Sequence, residues 1–298
     1  MGQNGTINGG AGNDTILAGS GDHYLNLGNG NNVVNLTLSN GNLSSGVSFI
    51  TLGGGNNLLR DSGGGNDSIT LGGGHDSIYG GATNQFSIAN EAYLSGYYTL
   101  VGGSGNSTLT FTDDNQTLGN SDFIHVKGLQ AIQTGNGSNV VIAGIQGAAA
   151  GLSSLFGGTD NDLLDLSMVS NPAYLKGFVN LSDTAVDTLV GGTGANTFVL
   201  GTSAGDAYVS GVGSGQSAQD GYASIRNFNP STDTLLAHNY GSTPNPSSNL
   251  YAVGYGSSFN LYYQAGGGGS SDLVATIQET TPFDLSNTNN LQSVLHLV

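Results

Sequence analysis

The chain has 298 residues, of which 52 are glycine and only 8% are charged, and its formal net charge is −16. An acidic chain with four Lys and Arg residues lacks the basic patches that nucleic acids and anionic membranes require, so we expect neither as a partner. It has no cysteine, which excludes disulfides and thiolate metal sites, and no apolar stretch reaches the ~18 residues of a membrane-spanning helix, so we expect no membrane insertion.

A nine-residue repeat organises the first part of the chain. Clear copies occupy residues 9–17, 18–26, 27–35, 62–70 and 71–79. Each copy has a glycine-rich turn followed by a short strand, and two copies make one coil, so residues eighteen apart are expected to stack. The residues expected to point inward are Ile16, Leu25, Val34, Ile69 and Ile78. Because the apolar residues keep a fixed offset from the glycines, the pattern favours an ordered β-solenoid over a disordered linker.

The sixth place of the repeat carries the candidate metal chemistry. It holds aspartate at Asp14, Asp67, Asp76 and Asp162, and it holds other residues at His23, Asn32, Asn57, Gln85, Ser107, Asn139 and Asn196. Carboxylate and turn carbonyl oxygens together form the all-oxygen shell that calcium prefers. Counting along the repeat predicts facing pairs of Asp14 with Asn32, Asn57 with Asp76, and Asp67 with Gln85. Since no pair has two carboxylates, we expect weak sites, with stacked asparagine amides as the alternative stabiliser.

These nonapeptides resemble the repeats-in-toxin (RTX) family of secreted calcium-binding proteins. The resemblance implies an all-β fold, a right-handed parallel β-roll/β-helix solenoid, with calcium as the cofactor and a secreted, extracellular or cell-surface location. Family members carry a C-terminal signal for one-step export, and residues 293–298 form a compatible apolar tail. The implied metal-site residues are Asp14, Asn32, Gly10, Gly12, Asn57, Asp67, Asp76, Gly64, Gly73, Asp160 and Asp162.

Beyond residue 81 the glycine turns are more widely spaced, with weaker copies at residues 102–106, 157–164 and 191–199. Strands are predicted at 47–52, 97–101, 108–112 and 272–277, a turn or two of helix within 148–156, and a tyrosine-rich antiparallel stretch at 250–263 before a glycine–serine loop at 265–271. We therefore predict three segments: an RTX-like β-roll (1–88), a wider β-solenoid with degenerate repeats (89–200), and a C-terminal β-rich cap with the export signal (201–298).

One stretch, residues 201–205, matches the G-x-S-x-G pattern of hydrolases around Ser203. Asp233 and His238, or Asp284 and His296, follow it in the order that such a triad needs. The motif requires a helix directly after the serine, and the sequence predicts none there. There is also no H-E-x-x-H metalloprotease motif, so we expect no enzyme activity.

A degenerate repeat is already in phase at Asn4, which leaves no room for a capping element, so we expect copies to associate through solenoid ends or edges. The sequence thus predicts a secreted, non-catalytic structural protein that polymerises with itself into a filament or surface layer stabilised by calcium. The alternative is a calcium-dependent adhesion or carbohydrate-binding module that binds a cell-surface glycan through Tyr251, Tyr255, Tyr262 and Tyr263.

Overall fold

The structure is a computed structural model. It describes residues 4–19, 21–36, 46–90, 94, 98–158, 160–170, 173–178, 186–206, 208, 221–238, 250–264 and 271–298. These residues are nearly all β, with long parallel sheets, which confirms the predicted parallel β-solenoid. The handedness of the coil and the three-segment division stay predictions. The chain forms two compact units, Met1–Thr134 with Ile145–Leu152, and Gly135–Gly144 with Ser153–Val298.

The strands of the first unit are short and follow the glycine turns. They are β1 (Gly5–Asn8), β2 (Thr15–Leu17), β3 (His23–Asn26), β4 (Val33–Asn35), β5 (Phe49–Thr51), β6 (Leu58–Arg60), β7 (Asn66–Thr70), β8 (Ser77–Tyr79), β9 (Thr83–Ile88), β10 (Thr99–Val101), β11 (Thr108–Phe111), β12 (Thr117–Leu118), β13 (Val126–Lys127) and β14 (Ala131–Gln133). A 3₁₀ helix spans Asn120–Phe123, and the helix α1 spans Gly144–Ala150.

Alternate strands of the first unit enter two parallel sheets. One has the order β1-β3-β5-β7-β9-β11-β14, and the other the order β2-β4-β6-β8-β10-β13. Thr15 pairs with Val33, and Gly5 with His23, so residues eighteen apart stack as predicted. The inward residues predicted from the repeat are all buried, and Val34 and Ile78 are completely inaccessible.

The second unit has longer strands as well as short ones. They are β15 (Val140–Ile142), β16 (Ser154–Phe156), β17 (Leu163–Asp165), β18 (Tyr174–Lys176), β19 (Val186–Val190), β20 (Thr197–Val199), β21 (Gly201–Thr202), β22 (Gly205–Asp206), β23 (Tyr222–Phe228), β24 (Thr234–Ala237), β25 (Leu250–Tyr255), β26 (Ser258–Gln264), β27 (Ser271–Glu279) and β28 (Leu295–Leu297). The helix α2 spans Thr288–Val294.

Parallel pairing continues in this unit in the orders β16-β18-β20-β24-β28 and β15-β17-β19-β23-β27. β27 then pairs antiparallel with β26, and β26 with β25, which confirms the antiparallel stretch predicted at 250–263. Of the loop predicted at 265–271, residues 265–270 lie outside the described part of the chain.

The helices differ from the prediction. α1 ends at Ala150, whereas the sequence indicated helix within 148–156, and Ser154–Phe156 is a strand. α2 was not predicted, because its residues T-N-N-L-Q-S-V are polar and contain only two apolar positions. Those two, Leu291 and Val294, are three residues apart and buried, while the side chain of Asn287 accepts N–H bonds that cap the first turn.

Candidate functional site: polar ladders in the glycine turns

Asparagines at the sixth place of the repeat lie inside the turns. Asn57 is 2% exposed, and its side-chain Nδ2 donates to the carbonyl oxygens of Gly53 at 3.2 Å and Gly55 at 3.1 Å. The same nitrogen lies 2.9 Å from Oδ1 of Asp76, one coil further on. Asn32 repeats this geometry one coil earlier. An amide group therefore fills the centre of these turns and satisfies two carbonyl oxygens that face inward.

The second unit uses the same device. Asn139 Nδ2 donates to the carbonyl oxygens of Gly135 at 3.0 Å and Gly137 at 2.7 Å, and to Oδ1 of Asp162 at 2.8 Å. Asn196 makes the matching contacts in its own turn. A donor nitrogen occupies the place where a cation would need oxygen ligands, so the asparagine turns fit the amide ladder better than they fit calcium.

Aspartates at the same place leave a different arrangement. Their Oδ1 atoms accept the backbone N–H of the preceding coil, from Ser48 to Asp67 at 2.7 Å, from Asn57 to Asp76 at 2.8 Å, and from Asn139 to Asp162 at 2.9 Å. A carboxylate has no N–H to offer the turn carbonyls. The Oδ2 atoms of Asp14, Asp67 and Asp76 are buried without a hydrogen-bond partner, whereas Oδ2 of Asp162 accepts the N–H of Gly158 at 3.0 Å.

Burial changes the protonation of these carboxyls. It raises the pKa of Asp76 from its ordinary 3.8 to about 6, and that of Asp162 from 3.8 to about 7. Burial, and then the neighbouring Asp61 carboxyl, also raise the pKa of Asp67. Near neutral pH each of these carboxyls in the folded protein is therefore either protonated or carries a buried negative charge without a counter-ion. A bound cation would stabilise the charged form.

The register confirms two of the three predicted facing pairs. The N–H of Asp14 donates to Asn32 Oδ1 at 3.0 Å, and Asn57 contacts Asp76 as described above. The third pair is wrong, because Asp67 lies opposite Asn84 and Gln85 lies opposite Ser68. The coil at this point is one residue shorter than the regular eighteen, which shifts the partner by one position.

Most of the remaining predicted metal-site residues lie at the surface of their turns. Gly10, Gly12 and Gly64 are exposed, and the carbonyl of Gly73 accepts the N–H of Gly55 at 2.9 Å. Asp160 is exposed, so that of the 160–162 segment only the Asp162 side chain enters the ladder.

Sequence reasoning missed several buried carboxylates, among them Asp187 and Glu279 in the second unit and Asp61, which is 7% exposed and immediately follows β6. It stands outside the sixth place, so counting by the repeat passes over it. The signal that could have identified it is the segment D-S-G-G-G-N-D at residues 61–67, in which a glycine turn has an aspartate at each end.

The hydrolase-like motif lies on a β-hairpin turn. β21 and β22 pair antiparallel, Ser203 is exposed between them, and the strand β22 at Gly205–Asp206 stands where the motif needs a helix. The carboxylate of Asp233 is bound by Asn196 and by the backbone N–H of Asn229 at 2.9 Å, inside its own turn. The strand–turn–helix geometry of a nucleophile elbow is therefore absent at Ser203.

The predicted tyrosine platform is divided between two faces of its sheet. Tyr251 and Tyr262 stack with ring centroids 5.5 Å apart, and Tyr251 is 36% exposed. Tyr263 is buried, and the side chain of Tyr255 lies outside the described part of the structure. Two of the four predicted tyrosines thus form one partly exposed stacked pair.

Neither the models of known protein families nor the curated proteins match this chain. Among the described residues, no group of three or more His, Asp or Glu side chains is placed to share a metal ion. None of the helices in the described part of the chain has the length and apolar character needed to cross a membrane. The resemblance to RTX proteins therefore rests on the sequence repeats alone.

Proposed function

We propose that this protein is a secreted, non-catalytic structural protein whose copies associate through an exposed solenoid edge into a filament or surface layer, with calcium stabilising the fold. The observation that supports association most directly is the state of the first coil, which consists of β1 and β2. Each of these strands is the outermost member of its sheet. Such an edge presents a row of backbone N–H and C=O groups ready to pair with another chain.

The first coil also lacks the features that usually protect an edge. β1 is exposed along Thr6, Ile7 and Asn8 and carries no charged residue, and Leu17 at the end of β2 is 78% exposed. Proteins commonly protect an edge strand with lysine, proline or a bulge. Neither residue type occurs in β1 or β2, so we interpret this edge as a contact surface for a second copy.

The polar ladder of the first unit supports the same partner. Asn32, Asn57 and Asp76 each accept, through Oδ1, the backbone N–H of the equivalent residue one coil earlier. Asp14 is the first member of this ladder, and at every later step the acceptor is the Oδ1 of the equivalent residue. A coil supplied by another copy would donate the N–H that this end of the ladder can accept.

A proline substitution in β1 tests the association. The N–H groups of Gly5 and Gly9 donate to Asp22 at 3.1 Å and Asn26 at 2.8 Å on the β3 side, so the N–H of Thr6 points to the open edge. Thr6→Pro removes that outward donor and should abolish assemblies seen by electron microscopy and light scattering in calcium. Thr6→Val keeps the donor and is the matched control. Equal assembly of both variants would refute association through this edge.

Calcium is supported by the buried carboxylate oxygens and by the charge of the chain. The Oδ2 atoms of Asp14, Asp67 and Asp76 are hard oxygen ligands without a partner, and the net charge of −16 favours any bound cation. A ligand that binds only the folded state stabilises it by about 4 kcal/mol per site at a thousandfold excess over Kd. EDTA should therefore dissolve the assemblies or lower the melting temperature, and indifference of both would exclude the calcium part of the proposal.

A carbohydrate-binding function is the second candidate, because Tyr251 and Tyr262 form a partly exposed stacked pair on the β25–β26 hairpin. The hydroxyl of Tyr251 donates to Ser271 Oγ at 2.8 Å, which fixes the ring. Binding on a glycan array that is lost in Tyr251→Ala but kept in Tyr24→Ala, a change at an exposed tyrosine of the first unit, would favour this function.

A further inference from the structure

We propose that Asp61 and Asp67 together form a divalent-cation site in the turn 61–67, selective for a hard, oxygen-preferring cation of the calcium class. The site lies outside the set of ligands that the repeat predicts, since Asp61 does not occupy the sixth place. It deepens the proposed function and rests on its calcium part, because a cation held here would stabilise the same solenoid.

Both carboxylates enter the same turn from opposite ends. Asp61 follows β6 and Asp67 lies within β7, and their side chains are 7% and 3% exposed. Burial raises the pKa of Asp67, and the neighbouring Asp61 carboxyl raises that pKa further. Asp61 and Asp67 therefore bring two carboxyl groups into one dry turn of the first unit.

Each carboxyl group has one oxygen engaged and one free. Asp61 Oδ1 accepts the N–H of Gly63 at 2.7 Å, and Asp67 Oδ1 accepts the N–H of Ser48 at 2.7 Å. Both Oδ2 atoms are buried and have no hydrogen-bond partner. Two buried carboxylate oxygens without donors cannot both carry charge unless a cation compensates them, and buried polar atoms of this kind commonly mark a bound ion or water.

Further oxygen ligands are placed around this pair. In the asparagine turns the amide nitrogen binds the carbonyls of the residues four and two positions earlier. The same offsets from Asp67 are Gly63 and Gly65, and Asp67 has no N–H to bind them. The donor set is then two carboxylates and two backbone carbonyls, which matches calcium rather than a metal that prefers nitrogen or sulfur.

A glycine of the next coil packs closely against the site. A Cβ atom on Gly81 would stand 2.1 Å from the carbonyl oxygen of Gly63 and 2.9 Å from Asp61 Oδ2. Any side chain at residue 81 would therefore occupy the space beside these two oxygens. The carbonyl oxygen of Gly63 and Asp61 Oδ2 therefore lie within about 5 Å of each other, on the side of the turn that faces Gly81.

The other aspartate turns lack one or more of these features. At Asp76 the hydroxyl of Tyr98 donates to the carbonyl of Gly72, which removes a ligand from the turn. At Asp162 the second oxygen is bound by Gly158, as described above. Asp14 has no second buried carboxylate in its turn. Among the described turns of the first unit, 61–67 thus has the strongest donor set for a cation.

Calcium titration of the full chain by isothermal calorimetry, at neutral pH after EDTA treatment, tests the site. Asp61→Asn keeps an oxygen for the N–H of Gly63 but removes the charge, and it should weaken the tightest calcium site by about tenfold or more. Asp122→Asn is the matched control, because it makes the same change at a buried aspartate outside the glycine turns and keeps an oxygen for the N–H of Gly119, and it should leave that site unchanged. Asp67→Asn keeps an acceptor for the N–H of Ser48 and should weaken the tightest calcium site as much as Asp61→Asn does. It tests the same site if Asp61→Asn fails to fold.

The outcomes separate this inference from the proposed function. If Asp61→Asn and Asp67→Asn bind calcium as the wild type does, while EDTA still lowers the melting temperature, the site assignment is overturned and the calcium part of the function stands. If the wild type binds no calcium at millimolar concentration, both fail, and the pair is a shared-proton pair instead. Selective loss of the tightest site in the two variants supports the assignment.

Discussion

Replacing one ladder asparagine by aspartate should destabilise the solenoid in a pH-dependent way. Asn57 is the informative position, because it is 2% exposed and donates through Nδ2 to Gly53, Gly55 and Asp76. Asn57→Asp has nearly the same shape but replaces the donor nitrogen by an acceptor oxygen. It also places a second carboxyl group directly against Asp76.

The expected loss follows from two contributions. Buried hydrogen bonds contribute about 1 kcal/mol each, and Asn57→Asp removes the donor of three. An uncompensated buried charge beside Asp76, itself 1% exposed, costs about 3–5 kcal/mol. We therefore expect a loss of about 6 kcal/mol or more at pH 8 in EDTA. The loss should fall to about 2 kcal/mol at pH 4, where the new carboxyl is protonated and again has a proton to donate.

Urea unfolding followed by far-UV circular dichroism at the two pH values measures this effect. Asn56→Asp is the matched control, because it adds the same charge at the adjacent, exposed residue and keeps an oxygen for the N–H of His75. We expect it to change stability by less than about 1 kcal/mol. Calcium should restore more stability to Asn57→Asp than to Asn56→Asp. Equal effects of the two substitutions would refute the role we assign to the amide.

Three further predictions follow from the turns. Asp76→Asn should stabilise the chain at pH 8 in EDTA by about 3 kcal/mol, because it removes a carboxyl whose pKa burial raises from 3.8 to about 6. The substitution should have little effect at pH 4, and equal urea midpoints of the variant and the wild type at pH 8 would contradict the prediction. In EDTA the wild-type melting temperature should fall as the pH rises from about 4 to 7, since the folded state retains protons on Asp76 and Asp162 that the unfolded state has lost; a rising profile would show the sign to be wrong. Gly30→Ala should cost about 2 kcal/mol more than Gly12→Ala in thermal unfolding, because both have φ near +130° but only the Cβ at residue 30 meets a backbone oxygen, at 1.9 Å; similar losses would mean that backbone strain alone dominates.

Much of the ladder could be anticipated from the repeat. The spacing identified which apolar residues point inward, and it placed Asp14 opposite Asn32 and Asn57 opposite Asp76. It did not identify the partner of Asp67, because one coil is a residue shorter and a change of one position alters every contact along a strand. Asp61 was missed for a related reason, since it acts from outside the repeated position.

The sequence by itself determined the architecture: a regular offset between glycines and branched apolar residues allows only stacked turns and short parallel strands. The orientation of the polar groups in the turns was decided by the tertiary structure alone. An asparagine in a turn can present its oxygen to a calcium ion or its nitrogen to the turn carbonyls. The adjacent coil decides between the two orientations, because its backbone N–H or its side-chain oxygen binds the other side of the amide. Likewise, only the fold buries Asp61 and Asp67 and leaves their second oxygens without donors.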